Sequence, residues 1–116
     1  MNYQLAPEWE LIHEETREGF NVRLYVAPET DDPEGAFDDN GKTAAAIRAG
    51  EYEWFIARVT ASRNGIVLAD DYLGGCCYET YQDFVQPDEY YADMRRFVIA
   101  EAREILEKLT EESCIR

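Results

Sequence analysis

An α+β fold is predicted: an antiparallel sheet of about four strands, in β-β-α-β-β-α order, backed by a long C-terminal helix. Three observations carry that prediction. Phe20, Val22, Leu24 and Val26 alternate with Asn21, Arg23 and Tyr25, the period of a half-buried strand. Asn64-Gly65 separates two β-rich runs, the favoured composition of a type I′ hairpin. Tyr91, Met94, Val98, Ala102, Ile105 and Leu109 recur at spacings of three and four, the stripe of an amphipathic helix. A chain of 116 residues has room for one domain, 1–116.

The elements follow in order. Trp9 to Glu15 is a first strand in which Trp9 and Leu11 alternate with Glu10. Thr16-Arg17-Glu18-Gly19 is short enough for a hairpin loop, with Gly19 free to take a positive φ. Residues 28–40, PETDDPEGAFDDN, hold two prolines and six acids without a base, so a solvated loop is expected. Lys42 to Ala49 is rich in helix formers, with Asp39 or Asn40 as N-cap and Gly50 as an αL C-terminal cap. Two turns are marginal alone and must dock on the rest.

Tyr52 to Ser62 and Ile66 to Leu73 form the central hairpin. A two-residue turn sets Val59 opposite Asp70, Ala61 opposite Leu68 and Arg58 opposite Asp71, the last as a cross-strand ion pair. Phe55, Ala57, Val59, Ala61, Ile66, Leu68 and Tyr72 then share one face, and Trp54, Ile56, Val67 and Leu73 the other. Gly74-Gly75-Cys76-Cys77 is expected to break the strand. Tyr78 to Val85 reads as a short helix or an irregular aromatic segment. Asp88 is expected to cap a final helix from Glu89 to about Thr110.

Composition excludes several functions. The chain carries 25 acids against 11 bases, a formal net charge of −14, yet 46% apolar and 13% aromatic residues are enough to build a core. Phosphates would be repelled by such a surface, so no direct binding to nucleic acid or to an anionic membrane is expected. The lack of a long apolar run and of a signal-like N terminus predicts a cytoplasmic protein without a membrane span.

No catalytic residue is proposed. Cys76, Cys77 and Cys114 are three thiols without zinc spacing, and His13 is the single histidine. The two adjacent cysteines read as small residues after a Gly-Gly bend, and His13 as a surface or half-buried histidine beside acids. The paired acids Asp31-Asp32, Asp38-Asp39 and Asp70-Asp71 do not suit hydrolysis, because sequence neighbours on a strand point opposite ways. The 28–40 loop is oxygen-rich, but EF-hand spacing is not met and no phosphate-binding glycine motif is present. No metal and no cofactor are therefore expected.

The distribution of charge is more informative. From Asn64 to Met94 there is no Lys or Arg, but there are seven acids: Asp70, Asp71, Glu79, Asp83, Asp88, Glu89 and Asp93. Tyr78, Tyr81 and Tyr90 lie among them as candidate anchors, tyrosine being enriched at interface hot spots. Asp31, Asp32, Glu34, Asp38 and Asp39 form a second acidic patch. Carboxylates at i and i+2 of a strand lie about 6–7 Å apart and those at i and i+3 of a helix rise about 4.5 Å, spacings that flexible side chains can adapt to one charge per about 3.4 Å of axis on each DNA strand. High net charge is also the ordinary means of keeping a small protein soluble.

The runs WELIHEETREGFNVRLYVAPE and DYLGGCCYETYQDF resemble small acidic proteins encoded by phages and plasmids. In charge, size and lack of catalytic apparatus the chain is similar to anti-CRISPR and anti-restriction proteins of the DNA-mimic type. That resemblance implies a non-catalytic inhibitor, a monomer or small homo-oligomer. Its partner would be a basic nucleic-acid-binding protein, a CRISPR or restriction complex. The alternative is an interaction module for a partner that does not bind nucleic acid, using the aromatic 78–91 segment.

Overall fold

A computed structural model describes residues 9–37 and 39–114, with side chains described through Thr110. Its elements are β1 (Glu10–Arg17), β2 (Phe20–Pro28), α1 (Lys42–Arg48), β3 (Glu53–Arg63), β4 (Ile66–Tyr78), a 3-10 helix (Tyr81–Val85) and α2 (Tyr90–Cys114). The four strands form one antiparallel sheet in the order β1-β2-β3-β4. The fold is thus α+β, a four-stranded antiparallel sheet with a long C-terminal helix, as expected. The order of elements differs from the expected one, because α1 has only seven residues and the 3-10 helix intervenes before α2.

Alternation along β2 decides which face is buried. Val22, Leu24 and Val26 pair with Ala61, Val59 and Ala57 of β3 on one face. That face meets Tyr91, Met94, Val98, Ile99 and Ala102 of α2 in a single apolar core. Each large side chain fully removed from water there contributes about 1.5–3 kcal/mol. The opposite face carries Arg23, Tyr25 and Arg58, with Ala27 and Ile56 buried outside the main core.

Both tight turns place two successive residues at positive φ, Glu18 and Gly19 in the first and Asn64 and Gly65 in the second, as a type I′ turn requires. The first loop is therefore tighter than the four residues expected. α1 starts from Gly41 in the αL conformation, and Asp39 caps it from farther out by accepting the Thr43 amide at 3.1 Å. Gly50 ends it as expected: the Gly50 and Glu51 amides return to the Ile47 and Ala46 carbonyls, the Schellman pattern. Asp88 takes φ +70 instead of the extended backbone of a side-chain cap, and α2 begins two residues later.

Bulges correct the register of the central hairpin. Pairing follows the expected register only at Arg63–Ile66 and Ser62–Val67. Leu68 is then an extra residue, so Thr60 faces Asp70, Val59 faces Asp71 and Arg58 faces Tyr72. A one-residue slip exchanges faces, which moves Leu73 to the core side and Tyr72 to the opposite side. Arg58 consequently bonds Asp70, at 3.3 Å, and not Asp71. Ile66 and Val67, before the bulge, stay exposed.

β4 also does not end at the glycines. Gly74 and Gly75 form a second bulge opposite Ile56, after which Cys76, Cys77 and Tyr78 pair with Phe55, Trp54 and Glu53. Gly75 has φ +67, which a side chain would strain. The Glu29 carboxylate accepts its amide at 2.6 Å, satisfying a donor that the bulge removes from the ladder.

Candidate protein-binding surface

The bulge at Gly74-Gly75 organises one end of the molecule. Two acidic segments distant in sequence meet there, on either side of the β4 edge. On one side the 28–40 loop folds over Trp54: the indole donates to the Asp31 carbonyl at 2.8 Å, and the Phe37 ring packs edge-on against it. Glu29, Asp31, Asp32 and Glu34 line a depression whose floor includes Trp54, Gly74 and Gly75. Arg48 of α1 ties Asp32 and Glu34 at 2.8 and 2.9 Å.

On the other side lies the start of α2. Asp88, Glu89 and Asp93 surround a second acidic depression, with Arg96 paired to Asp93. Between the two runs a groove of about 280 Å³, lined by Phe37, Leu73, the two bulge glycines, Cys76, Cys77, Tyr78 and Tyr90. It adjoins the loop depression directly and the α2 wall through one hydrogen bond. Gly74 and Gly75 belong to the groove and to the loop depression, and the Tyr78 hydroxyl donates to Glu89 at 2.8 Å. Among the described residues Glu29, Asp31, Asp88 and Glu89 make no ion pair.

The other sequence-predicted residues fall elsewhere or have local roles. Asp70 and Asp71 lie on opposite faces of β4, away from this end. Asp70 is held by Arg58, whose guanidinium sits between the Tyr25 and Tyr72 rings at 5.8 and 5.7 Å. Asp83 closes a capping box with Thr80. Glu79 is exposed beyond β4. Tyr78 and Tyr81 are half-buried against Phe55, Tyr81 edge-on at 5.1 Å; of the three tyrosines only Tyr90, 59% exposed, projects into solvent. Asp39 caps α1, and Asp38 lies outside the described residues.

Asp71 stands on the core face of β4, opposite Val59. Burial raises its carboxyl pKa above the ordinary 3.8, the Tyr72 amide partly opposes this, and nearby Asp70 adds to it. A raised carboxyl penalises the fold wherever it is ionised, and the penalty vanishes below the ordinary value, where the folded and unfolded groups are both protonated. Asp71→Asn is therefore expected to stabilise the protein at pH 7, by roughly 0.5–1 kcal/mol. In chemical denaturation the gain should fade as the pH approaches 3.8. An unchanged or lowered midpoint at pH 7 would contradict this reading of Asp71.

Burial also pushes the thiols up, Cys76 to about 12 and Cys77 in the same direction. Both are reduced, and the Cys76 thiol donates to the Leu73 carbonyl. Such thiols are poor nucleophiles at neutral pH. Among the described residues no cluster of three or more His, Cys, Asp or Glu side chains is placed to hold a metal ion. No described helix is long and apolar enough to cross a membrane.

Glu29, Phe37, Cys77 and the two glycines were not among the residues singled out as partner contacts. The signal for them was the glycine pair, since glycine inside a strand often marks a bulge or a close approach. Compared with models of protein families, with curated proteins and with solved structures, the chain finds no match.

Proposed function

We propose that this protein is a non-catalytic inhibitor. It presents its acidic end to the cationic groove of a nucleic-acid-handling host-defence protein, a CRISPR effector or a restriction enzyme, and occupies the place of phosphates. The observation that carries this reading is the convergence of two acidic walls on one end, with Glu29, Asp31, Asp88 and Glu89 free of ion pairs among the described residues. Carboxylates without a cationic neighbour around an open surface attract a basic partner and speed its approach, Glu29 and Glu89 doing so while held by neutral donors. The net charge of −14 supports the same reading. Asp70 and Asp71 are left out of the proposed contact, because they face opposite sides of the sheet.

The test is capture of basic proteins from a bacterial lysate on the immobilised chain, with elution in a salt gradient and identification of what elutes. The partner should be a nucleic-acid-binding protein, and DNA or RNA should compete with it. A variant carrying Asp31→Lys, Asp88→Asn and Glu89→Gln should bind at least tenfold more weakly and with a shallower salt dependence. Asparagine is chosen at 88 because it tolerates the positive φ there, and glutamine at 89 because it keeps an acceptor for Tyr78. Unchanged affinity in this variant would reject the surface.

A second reading is supported by the exposed Tyr90 beside the apolar groove: a module for a partner that does not bind nucleic acid. Binding insensitive to salt, with no competition from nucleic acid, would favour it over the first.

A further inference from the structure

We infer that the groove between the two acidic walls is a receptor for a single arginine side chain of the partner. This rests on the proposed reading of the acidic end and makes it specific. The volume of about 280 Å³ falls below the roughly 300–1,000 Å³ of small-molecule sites, so the groove suits one long side chain. Its lining is apolar and aromatic, from Phe37, Leu73, Tyr78 and Tyr90, while Glu29 on one side and Glu89 on the other bond to its lining residues Gly75 and Tyr78, with Asp31 and Asp88 in the adjoining depressions. An apolar trough ending in carboxylates matches a side chain with a methylene stem and a cationic head.

Arginine fits better than lysine for two reasons. A planar guanidinium stacks on an aromatic face, which the exposed Tyr90 offers, and its fork of N–H donors engages a carboxylate with two parallel bonds. The bulge keeps the trough open. A Cβ on Gly74 would come within 3.0 Å of the Glu29 carboxylate, and Gly75 at φ +67 excludes ordinary side chains. A second copy of this chain is a poor occupant, since two acidic ends repel.

The test uses the full chain and three blocked pentapeptides, Gly-Gly-Xaa-Gly-Gly, where Xaa is arginine, lysine or the neutral isostere citrulline. Binding is followed by NMR chemical shifts. The arginine peptide should move resonances of Tyr90, Phe37 and Cys77 and bind at least fivefold more tightly than the citrulline and lysine peptides. Tyr90→Ala, checked for an unchanged fold by circular dichroism, should weaken it at least threefold. Three results would overturn the inference: equal binding of lysine or citrulline, shifts spread over all surface acids, or groove shifts that depend on protein concentration without peptide. Partner capture that is lost in the acidic-wall variant but indifferent to Tyr90→Ala would remove this inference alone. Failure of the acidic-wall variant to weaken partner capture would remove the underlying reading.

Discussion

Phe55→Ala is expected to destabilise the protein by about 3–5 kcal/mol, a large fraction of the roughly 5–15 kcal/mol that holds a domain of this size. Phe55 is 0% exposed, at the centre of a ring cluster. Its ring centroid lies 6.0 Å from Tyr78, 5.1 Å from Tyr81 and 5.8 Å from Phe84. Removing it leaves a cavity that the sheet on one side and the 3-10 helix on the other cannot close without moving. The consequence reaches the groove, because Tyr78 lines it and bonds Glu89. Urea denaturation should show the lost stability, and the near-ultraviolet circular dichroism of the tyrosines should flatten. A loss below about 1 kcal/mol would mean that the aromatic cluster does not anchor this end of the fold.

Glu15→Ala should cost about 2–4 kcal/mol, because one half-buried carboxylate serves several donors at once. It stands on the core face of β1, opposite Val22. There it accepts a hydrogen bond from the Tyr91 hydroxyl and lies 3.1 Å from Arg17, 3.4 Å from Arg95 and 3.2 Å from the His13 ring. Truncation would leave the Tyr91 hydroxyl and the Arg95 guanidinium without their acceptor between sheet and helix. Glu15→Gln keeps an acceptor for Tyr91 and should cost less, about 1–2 kcal/mol.

The pH dependence separates charge from packing. Burial alone would raise the Glu15 pKa, but Tyr91, His13, Arg95 and Arg17 together hold it below the ordinary 4.5. A depressed carboxyl stabilises the fold fully at pH values well above the ordinary one, and that stability is lost as the pH falls through the lowered folded value. The gap between wild type and Glu15→Gln should therefore shrink below pH 4.5. A gap that does not change with pH would show that the ion pairs contribute nothing and that only shape matters.

These two sites and Asp71 illustrate how carboxylates with one formal charge act differently. Glu15 is stabilising because donors surround it, Asp71 is penalised because its surroundings are apolar, and Asp31 and Asp88 line open depressions with no ion pair among the described residues. Composition counts all of them alike.

The local elements were legible in the chain itself. Period-two alternation from Phe20 to Val26, the Asn64-Gly65 turn and the helix after Tyr91 depend on neighbours a few residues apart, and each forms where the pattern places it. The helix, however, packs Ile99 and Leu106 against the core where the expected stripe had Ile105 and Leu109. Net charge and the acid-rich 28–40 loop were equally plain. Tertiary structure decided the rest. The bulge at Leu68 changed which side of the sheet Asp71, Tyr72 and Leu73 occupy, and the bulge at Gly74-Gly75 carried the strand on through Tyr78. No local propensity fixes such a slip: it is settled by which register buries Leu73 and Cys76 against the core and lets Glu29, 46 residues away, satisfy the Gly75 amide. The same long-range pairing brings the 28–40 loop beside the start of α2. A charge run is a property of sequence, but a surface is made by the contacts that fold distant runs together.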